Sequence, residues 1–394
     1  MTALRDASPR ELGTPVATGT GAAIVRPAAA ADDAARRALF ARVAMEGDLG
    51  LTVCRDPDFD ALYRMQACDW ESWVVELDGR VEGTGTVLVR DGYLGGARRR
   101  IGYLGDLRFS PRAEGRMLLD RWYGPILRGA AERLGCELFL TAIIASNARA
   151  LRALTVSTAR AARAGRPRYT PLMDFDIRSL HLLPPRWRAR SAGSVRVRRA
   201  TDADVPALAH LLDADARARP FGEPMDEREL RRRLAEWPGL AAQWFYVACQ
   251  RDGALVGCLA LWDAAPVKRL VVTAYRGRMR RVRTAYDVGA RLLGRAPLPA
   301  PGDAFRYQYV THQAVPSGDP TVLRALLDAA YRDARRAGYH FLSVCAPAAD
   351  PLAPALRRFA ATSLPARLYL VTLPETEIPA ACFGGRAGFE MALV

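Results

Sequence analysis

The sequence predicts an α/β protein that repeats one unit in tandem, and three observations carry that prediction. Residues 101–151, IGYLGDLRFSPRAEGRMLLDRWYGPILRGAAERLGCELFLTAIIASNARAL, read as strand, turn, helix, strand and a polar turn into another helix. Asp78-Gly79 separates two strand-like runs, a strong hairpin signal. The same order of signals then restarts after residue 194.

In chain order, 1–22 lacks the basic-then-apolar order of a signal peptide and is expected to be a disordered leader. A first unit is expected over 23–182. Ala23–Arg26 reads as a strand, and 28–44 carries helical patterning with Phe40 and Val43 on its apolar side. Asp56–Met65 fits a second helix, with Phe59, Leu62 and Tyr63 inward. Ser72–Leu77 and Val81–Val89 form the hairpin. Ile101–Phe109 is rich in β-formers and is broken by Ser110-Pro111. From Gly115, apolar residues recur at helical spacing until Gly135 stops the helix. Glu137–Ile144 is apolar enough for a strand covered on both faces. Thr155–Gly165 reads as poorly structured, and Tyr169–Ile177 as a returning strand.

The stretch 183–194, with paired prolines and a basic Ser/Gly run, is expected to be a linker. A second unit follows over 195–394. VRVRRA, Asp202 and Asp204 restate IVRPA, Asp32 and Asp33. FYVACQRDGALVGCLALW repeats WVVELDGRVEGTGTVLV, and DARRAGYHFLSV repeats AERLGCELFLTA. The interval between the hairpin and the later glycine is longer in the second unit, which marks an insertion at 264–306. It reads as a basic amphipathic segment, with Leu270, Met279, Val282, Tyr286, Val288, Leu292 and Leu293 apolar. A lid, a partner-binding helix, an anionic contact surface and a helix packed over the sheet all fit it. The second core unit is Tyr307–Leu352, with Pro316–Pro320 as its turn. Leu364–Leu373 reads as a late strand, and the closing FEMALV as strand-like.

Composition limits function. The chain has 394 residues, long enough for two or three domains. No apolar run reaches the length of a membrane span. Seven scattered cysteines without CxxC argue for reduced thiols in the cytoplasm and against zinc. The four histidines show no metal spacing. Net charge is +15, and Lys268 is the only lysine among 57 basic residues. Because the arginines are spread along the chain, nucleic acid is the weaker partner class, and anionic small molecules or an acidic carrier protein account for the charge equally well. Gly-x-Gly-x-x-Gly, Walker A and Gly-x-Ser-x-Gly are all missing from the sequence.

Where the first core strand gives way to its helix, unpaired backbone N–H groups and the helix dipole favour an anion, and Arg112 and Arg116 flank the spot. A strand, then Arg-x-x-Gly-x-small at a helix start, then a strand ending in Asn, resembles the coenzyme-A signature of the GNAT acyltransferases. Here it reads Arg112-Ala113-Glu114-Gly115-Arg116-Met117, with Asn147 after the second strand. The resemblance implies two GNAT-like domains in tandem, each with a mixed, mostly antiparallel central sheet flanked by helices. It implies acetyl-CoA or another acyl-CoA as cosubstrate, without metal, and acyl transfer to an amine of a small molecule or peptide. In the second copy Arg-x-x-Gly is missing, and Asp319 stands as an N-cap where a pyrophosphate would lie. The coenzyme is therefore expected in the first copy.

By the same resemblance, backbone N–H groups from Leu107 to Phe109 polarise the thioester carbonyl. Arg112, Gly115, Arg116 and Met117 hold the pyrophosphate, and Asn147 contacts the pantetheine arm. Asp106 is the catalytic acid–base candidate, with an ion pair to arginine as the alternative. Glu76 and Tyr103 lie nearby. Tyr169 is the nearest tyrosine to the position from which the family protonates the leaving thiolate. His312 reads as a core or turn histidine, or as a base. A different class of function also fits: both copies inactive, in a tandem GNAT-fold binding or scaffolding protein. A carrier or other partner protein could then meet the 264–306 insertion.

Overall fold

A computed structural model describes residues 16–17, 22–45, 47–66, 69–113, 119–156, 165–183, 195–292 and 296–394. The first half runs β1 (Val16–Ala17), β2 (Ala22–Pro27), α1 (Asp33–Arg42), β3 (Leu49–Arg55), α2 (Ala61–Gln66), β4 (Asp69–Leu77), β5 (Arg80–Leu94) and β6 (Ala97–Phe109). A π turn, Leu119–Tyr123, enters α3 (Gly124–Leu134), followed by β7 (Phe139–Ile144), α4 (Ala148–Thr155) and β8 (Arg168–His181). The second half runs β9 (Arg196–Arg199), α5 (Val205–Arg217), α6 (Glu227–Glu236), β10 (Phe245–Cys249), β11 (Leu255–Trp262), β12 (Lys268–Tyr275) and α7 (Gly277–Leu292). It closes with β13 (Tyr307–Ala314), α8 (Pro320–Arg336), β14 (Phe341–Pro347) and β15 (Ala361–Thr372).

Thirteen strands form one sheet in the order β1-β2-β4-β5-β6-β7-β15-β8-β14-β13-β11-β10-β9. Most neighbours are antiparallel, and the parallel pairs are β6 with β7 and β13 with β14. The two halves repeat one plan, as the duplicated sequence requires. They also exchange their last strands. β15 from the second half lies against β7 of the first, whereas β8 lies against β14 of the second. β8 and β15 pair with each other along almost their whole length, from Arg168↔Thr372 to Leu180↔Ala361. A second link is a two-stranded sheet of β3 and β12.

Strand alternation divides the core by face. In the first half, Val87, Val89, Phe139 and Tyr369 pack under α3 and α4. Leu88, Leu140, Leu368 and Leu370 point the other way, toward Phe40, Phe59 and Tyr63 of the α1–α2 region. In the second half α8 covers one face, and α5 and α6 with the tail residues Met391–Leu393 cover the other.

Some sequence expectations change here, and others fall outside the described residues. Val16–Ala17 pairs with β2, inside the stretch expected to be an unstructured leader. Residues 184–194 of the expected linker and 157–164 of the expected poorly structured stretch lie outside the described residues. The insertion is not one amphipathic segment: Leu270 belongs to strand β12, and the helix is α7. The strand-like FEMALV is buried but irregular, ending in a 3-10 turn at Met391–Leu393. Its apolar residues earn burial against both halves without a ladder partner.

Candidate functional site

Each half has a left-handed residue in the middle of its core strand. In β6 the register to β5 shifts between Thr84 and Thr86, and Asp106 takes φ 53°. In β13 the register to β11 shifts between Cys258 and Ala260, and His312 takes φ 48°. Positive φ is uncommon outside glycine, and Asp and His are among the residues that tolerate it. A bulge bends its strand, and here the parallel pairings stop short of the bulge. β6 pairs with β7 only at Gly102↔Phe139 and Tyr103↔Leu140. β13 pairs with β14 only from Tyr307↔Phe341 to Tyr309↔Ser343. Each half therefore contains a V-shaped cleft between its two parallel strands.

In the first cleft, Asp106 is gripped from the α1–α2 side. Its Oδ2 accepts from Arg55 at 2.7 Å and from the Tyr63 hydroxyl. Burial would raise the Asp106 pKa, but the Arg55 charge and the Tyr63 hydrogen bond outweigh it and hold it below the usual carboxylate range. Burial, reinforced by the Asp106 charge, lifts the Tyr63 hydroxyl well above its ordinary value. Arg108 donates to the Val43 carbonyl at 3.1 Å and stacks over Phe40 at 3.9 Å. Leu107 is exposed, and Phe109 packs near Ala113 and Trp73. Beyond Tyr103, the register to β7 is not continued; the Leu104 carbonyl accepts from Thr141 Oγ1 at 2.8 Å, so the edge of β6 that could offer backbone groups to a guest lies past Leu104.

The second cleft opens into a cavity of about 140 Å³ on the α5–α6 side, bounded by Val310–Gln313, the loop after α5 and tail residues 386–390. Arg90 and Met173 reach it from the first half. Its charged groups pair with one another. Arg219 meets Asp215, Arg386 meets Asp350, and Arg233 meets Glu229 at 2.8 Å and Glu223 at 2.5 Å. Glu390 accepts from Thr311 Oγ1 at 2.5 Å and from the His312 N–H at 3.3 Å, and burial raises its pKa. The His312 ring lies against Trp237 and Phe245, with Thr311 Oγ1 3.2 Å from Nδ1 and Arg233 3.4 Å from Nε2. Burial, then the Arg233 charge, pushes its pKa well down. His312 is thus a buried core histidine, neutral at pH 7.

The other sequence candidates are dispersed. Arg112 pairs with Asp78 at 3.0 Å and Glu82 at 3.3 Å. Gly115, Arg116 and Met117 lie outside the described residues. Asn147 caps α4, its Oδ1 accepting from the Ala150 N–H at 3.0 Å. Tyr169 bonds to the Tyr123 hydroxyl at 2.5 Å and packs against Tyr369, on the α3–α4 face. Asp106 reaches Tyr63 on the opposite face, so the two catalytic candidates do not meet. Glu76 pairs with Arg26 at 3.2 Å. Asp319 caps α8, accepting from the Thr321 N–H at 2.8 Å.

Sequence reading missed Arg55, Tyr63 and Glu390 as neighbours of the bulges. Arg55 carried a signal, since it closes the strand-like run LTVC. Glu390 carried none, because its position depends on how the tail folds back.

The arrangement defines a class: two GNAT-like copies, each with splayed parallel strands at a core-strand bulge. Comparison with solved structures agrees. A GCN5-related N-acetyltransferase from Sphaerobacter thermophilus superposes with a TM-score of 0.55 at 16% identity, over 90% of this chain and 98% of that one. A tandem GNAT protein from the clavulanic acid biosynthesis pathway gives 0.51 at 13% identity, over 90% and 100%. N-myristoyltransferase from Saccharomyces cerevisiae, solved with bound myristoyl-CoA, gives 0.56 at 11% identity, over 91% and 80%. No family model and no curated protein sequence matches the chain. The chain therefore has the GNAT fold, present twice in tandem.

Proposed function

We propose that the protein is an acyl-CoA-dependent N-acyltransferase whose first-half cleft takes the donor. The observation that carries this reading is the edge of β6 left without a β7 ladder partner past Leu104, beside the Asp106 bulge. An extended pantetheine arm suits an unfilled strand edge, because its amides match the free ladder groups. The second half fits the coenzyme less well. Asp319 occupies the start of α8 with a carboxylate, which repels a pyrophosphate.

The bound coenzyme supplies an acyl group activated as a thioester. The chain's part is positional and electrostatic. Backbone N–H groups between Leu107 and Phe109 are the ones assigned to the carbonyl where charge would build. Arg112 lies at the turn that would face the phosphates, already carrying Asp78 and Glu82 as partners, and Arg116 follows it in the sequence. Asp106 is ionised at neutral pH and is the carboxylate beside the cleft, so it is the group assigned to the acceptor amine's proton. Tyr169 faces away and receives no step.

A second reading, a catalytically silent binding module, is favoured by one observation: Asp106 is already neutralised by Arg55. Calorimetric titration of acetyl-CoA tests the donor site that the first reading requires. Micromolar binding lost in an Arg112→Ala/Arg116→Ala variant supports the donor site. A wild type that binds neither acetyl-CoA nor a longer acyl-CoA overturns it.

A further inference from the structure

The insertion exposes a surface that acyl transfer does not use. Helix α7 is anchored on its inner side, where Ala290 is buried and Arg283 stacks over Tyr275 at 4.8 Å and lies 3.5 Å from Asp287. Its outer side is divided in two chemistries. Ala285, Val288 and Leu292 recur at spacings of three and four, so they form one stripe along the helix. Val288 and Leu292 are 54% and 82% exposed, and Val282 beside them is 50% exposed. Arg281 heads the stripe, Arg280 and Arg291 line one flank, and Arg278 lies on the other, all four exposed.

Elsewhere the chain matches many arginines to carboxylates, as at Arg26–Asp32, Arg133–Glu71 and Arg198–Asp204, and leaves others, such as Arg80, Arg99 and Arg196, exposed and without an ion pair among the described residues. On α7, Arg278, Arg280, Arg281 and Arg291 have no ion-pair partner among the described residues. Four unneutralised guanidinium groups around an exposed apolar stripe form a surface that lacks its complement. The base of the helix is fixed to both halves, because β12 pairs with β3 immediately before it. The surface is therefore presented from a paired strand, with Arg283 and Ala290 turned to the inner side.

We propose that the outer face of α7 docks an acidic amphipathic helix of a protein partner. That partner's carboxylates would meet the arginines in bidentate geometry, and its small apolar side chains would cover Ala285, Val288 and Leu292. The stripe is short and aliphatic, and the one aromatic residue of the helix, Tyr286, is partly buried and lies outside the stripe, which suits a partner helix better than a lipid surface. The proposal stands independently of the acyl-transfer reading, since it uses no residue of either cleft.

The test uses the full chain and a labelled peptide of about 18 residues, long enough to be helical. The peptide carries leucine and alanine on one face and glutamate on both flanks, and a scrambled peptide of equal composition is the control. Fluorescence anisotropy is expected to show the helical peptide binding at least about tenfold more tightly than the scrambled one. Val288→Ser/Leu292→Ser, which leaves net charge unchanged, should weaken it about tenfold. Arg280→Glu/Arg291→Glu should weaken it more than Arg332→Glu/Arg336→Glu on α8, which changes net charge equally. Circular dichroism verifies that each variant folds. Equal binding of both peptides, or binding unmoved by the serine pair, overturns the proposal in favour of plain charge attraction. Association with phosphatidylserine vesicles that the serine pair abolishes, alongside no peptide binding, overturns it in favour of a membrane.

Discussion

At the scale of single residues, the pair Asp106–Arg55 decides what the first cleft can be. Arg55 is 3% exposed and reaches Asp106 at 2.7 Å. Taking the charge from one member of a buried pair leaves the other desolvated and uncompensated, at a cost of about 3–5 kcal/mol. Asn tolerates the left-handed backbone as Asp does, so Asp106→Asn removes charge with little change of shape. We expect that loss at pH 7, read from urea midpoints. The sign with pH follows from the depressed pKa of Asp106. The pair's stabilisation is present above the carboxylate's unfolded pKa and is lost as pH falls through its folded value. The gap between wild type and Asp106→Asn should therefore narrow in acid, below the usual carboxylate range. A gap constant from neutral pH into acid would mean that Asp106 is not ionised in the native protein. If the acyl-transfer reading holds, the same variant loses activity at every pH where it remains folded.

At the scale of elements, the tail from Pro379 onward acts as a wedge between the halves. Phe389 stacks with Tyr103 of β6 at 6.3 Å and packs on Phe175 of β8 at 5.2 Å. Lys268 of β12 donates to the carbonyls of Ala392 and Val394 and sits 4.9 Å over the Tyr309 ring. The sole lysine thus ties the tail down with its flexible donors, a task unlike the bidentate pairing that arginine performs elsewhere. Gly388 lets the tail cross the loop after α5: a Cβ there would lie 2.4 Å from Gly222 Cα and 2.6 Å from its N. Both atoms are backbone, so no side chain can swing aside. Gly388→Ala should destabilise by about 1–3 kcal/mol and open the tail to proteolysis after Pro379. A variant as stable and as protease-resistant as wild type would show that the tail does not seat here. Elements whose signals are local were legible in the sequence. The Asp78-Gly79 hairpin became β4–β5, the stop at Gly135 ends α3 with φ 63°, and Asp319 caps α8. The bulges at Asp106 and His312 were not legible, because a one-residue register shift between neighbouring strands leaves no pattern in either strand alone.

At the scale of the molecule, the duplication was readable but the way its copies join was not. Similar order of elements in each half implies similar folds, and both halves do repeat the plan. Which strand pairs with which edge is a contest between equivalent edges, however. β7 and β14 are related by the duplication, as are β8 and β15, so either final strand can satisfy either edge. The observed choice crosses over: β15 joins β7 and β8 joins β14, with the two strands paired to each other at the centre. The segment 183–194 therefore does not separate two self-sufficient units, since each half's cleft strand is flanked by a strand of the other. Three consequences can be measured. A chain cleaved between 184 and 194 should stay associated through the sheet and run at the size of the intact protein in gel filtration without denaturant. Tryptophan fluorescence and far-ultraviolet circular dichroism should report one coincident unfolding transition in urea, because Trp73 lies in the first half and Trp237 and Trp262 in the second. Residues 1–183 and 195–394 made separately should each fold poorly and recover native-like fluorescence when refolded together. Separation of the cleaved fragments without denaturant, or two resolved transitions, would mean that the strands are not exchanged and that each half closes its own sheet.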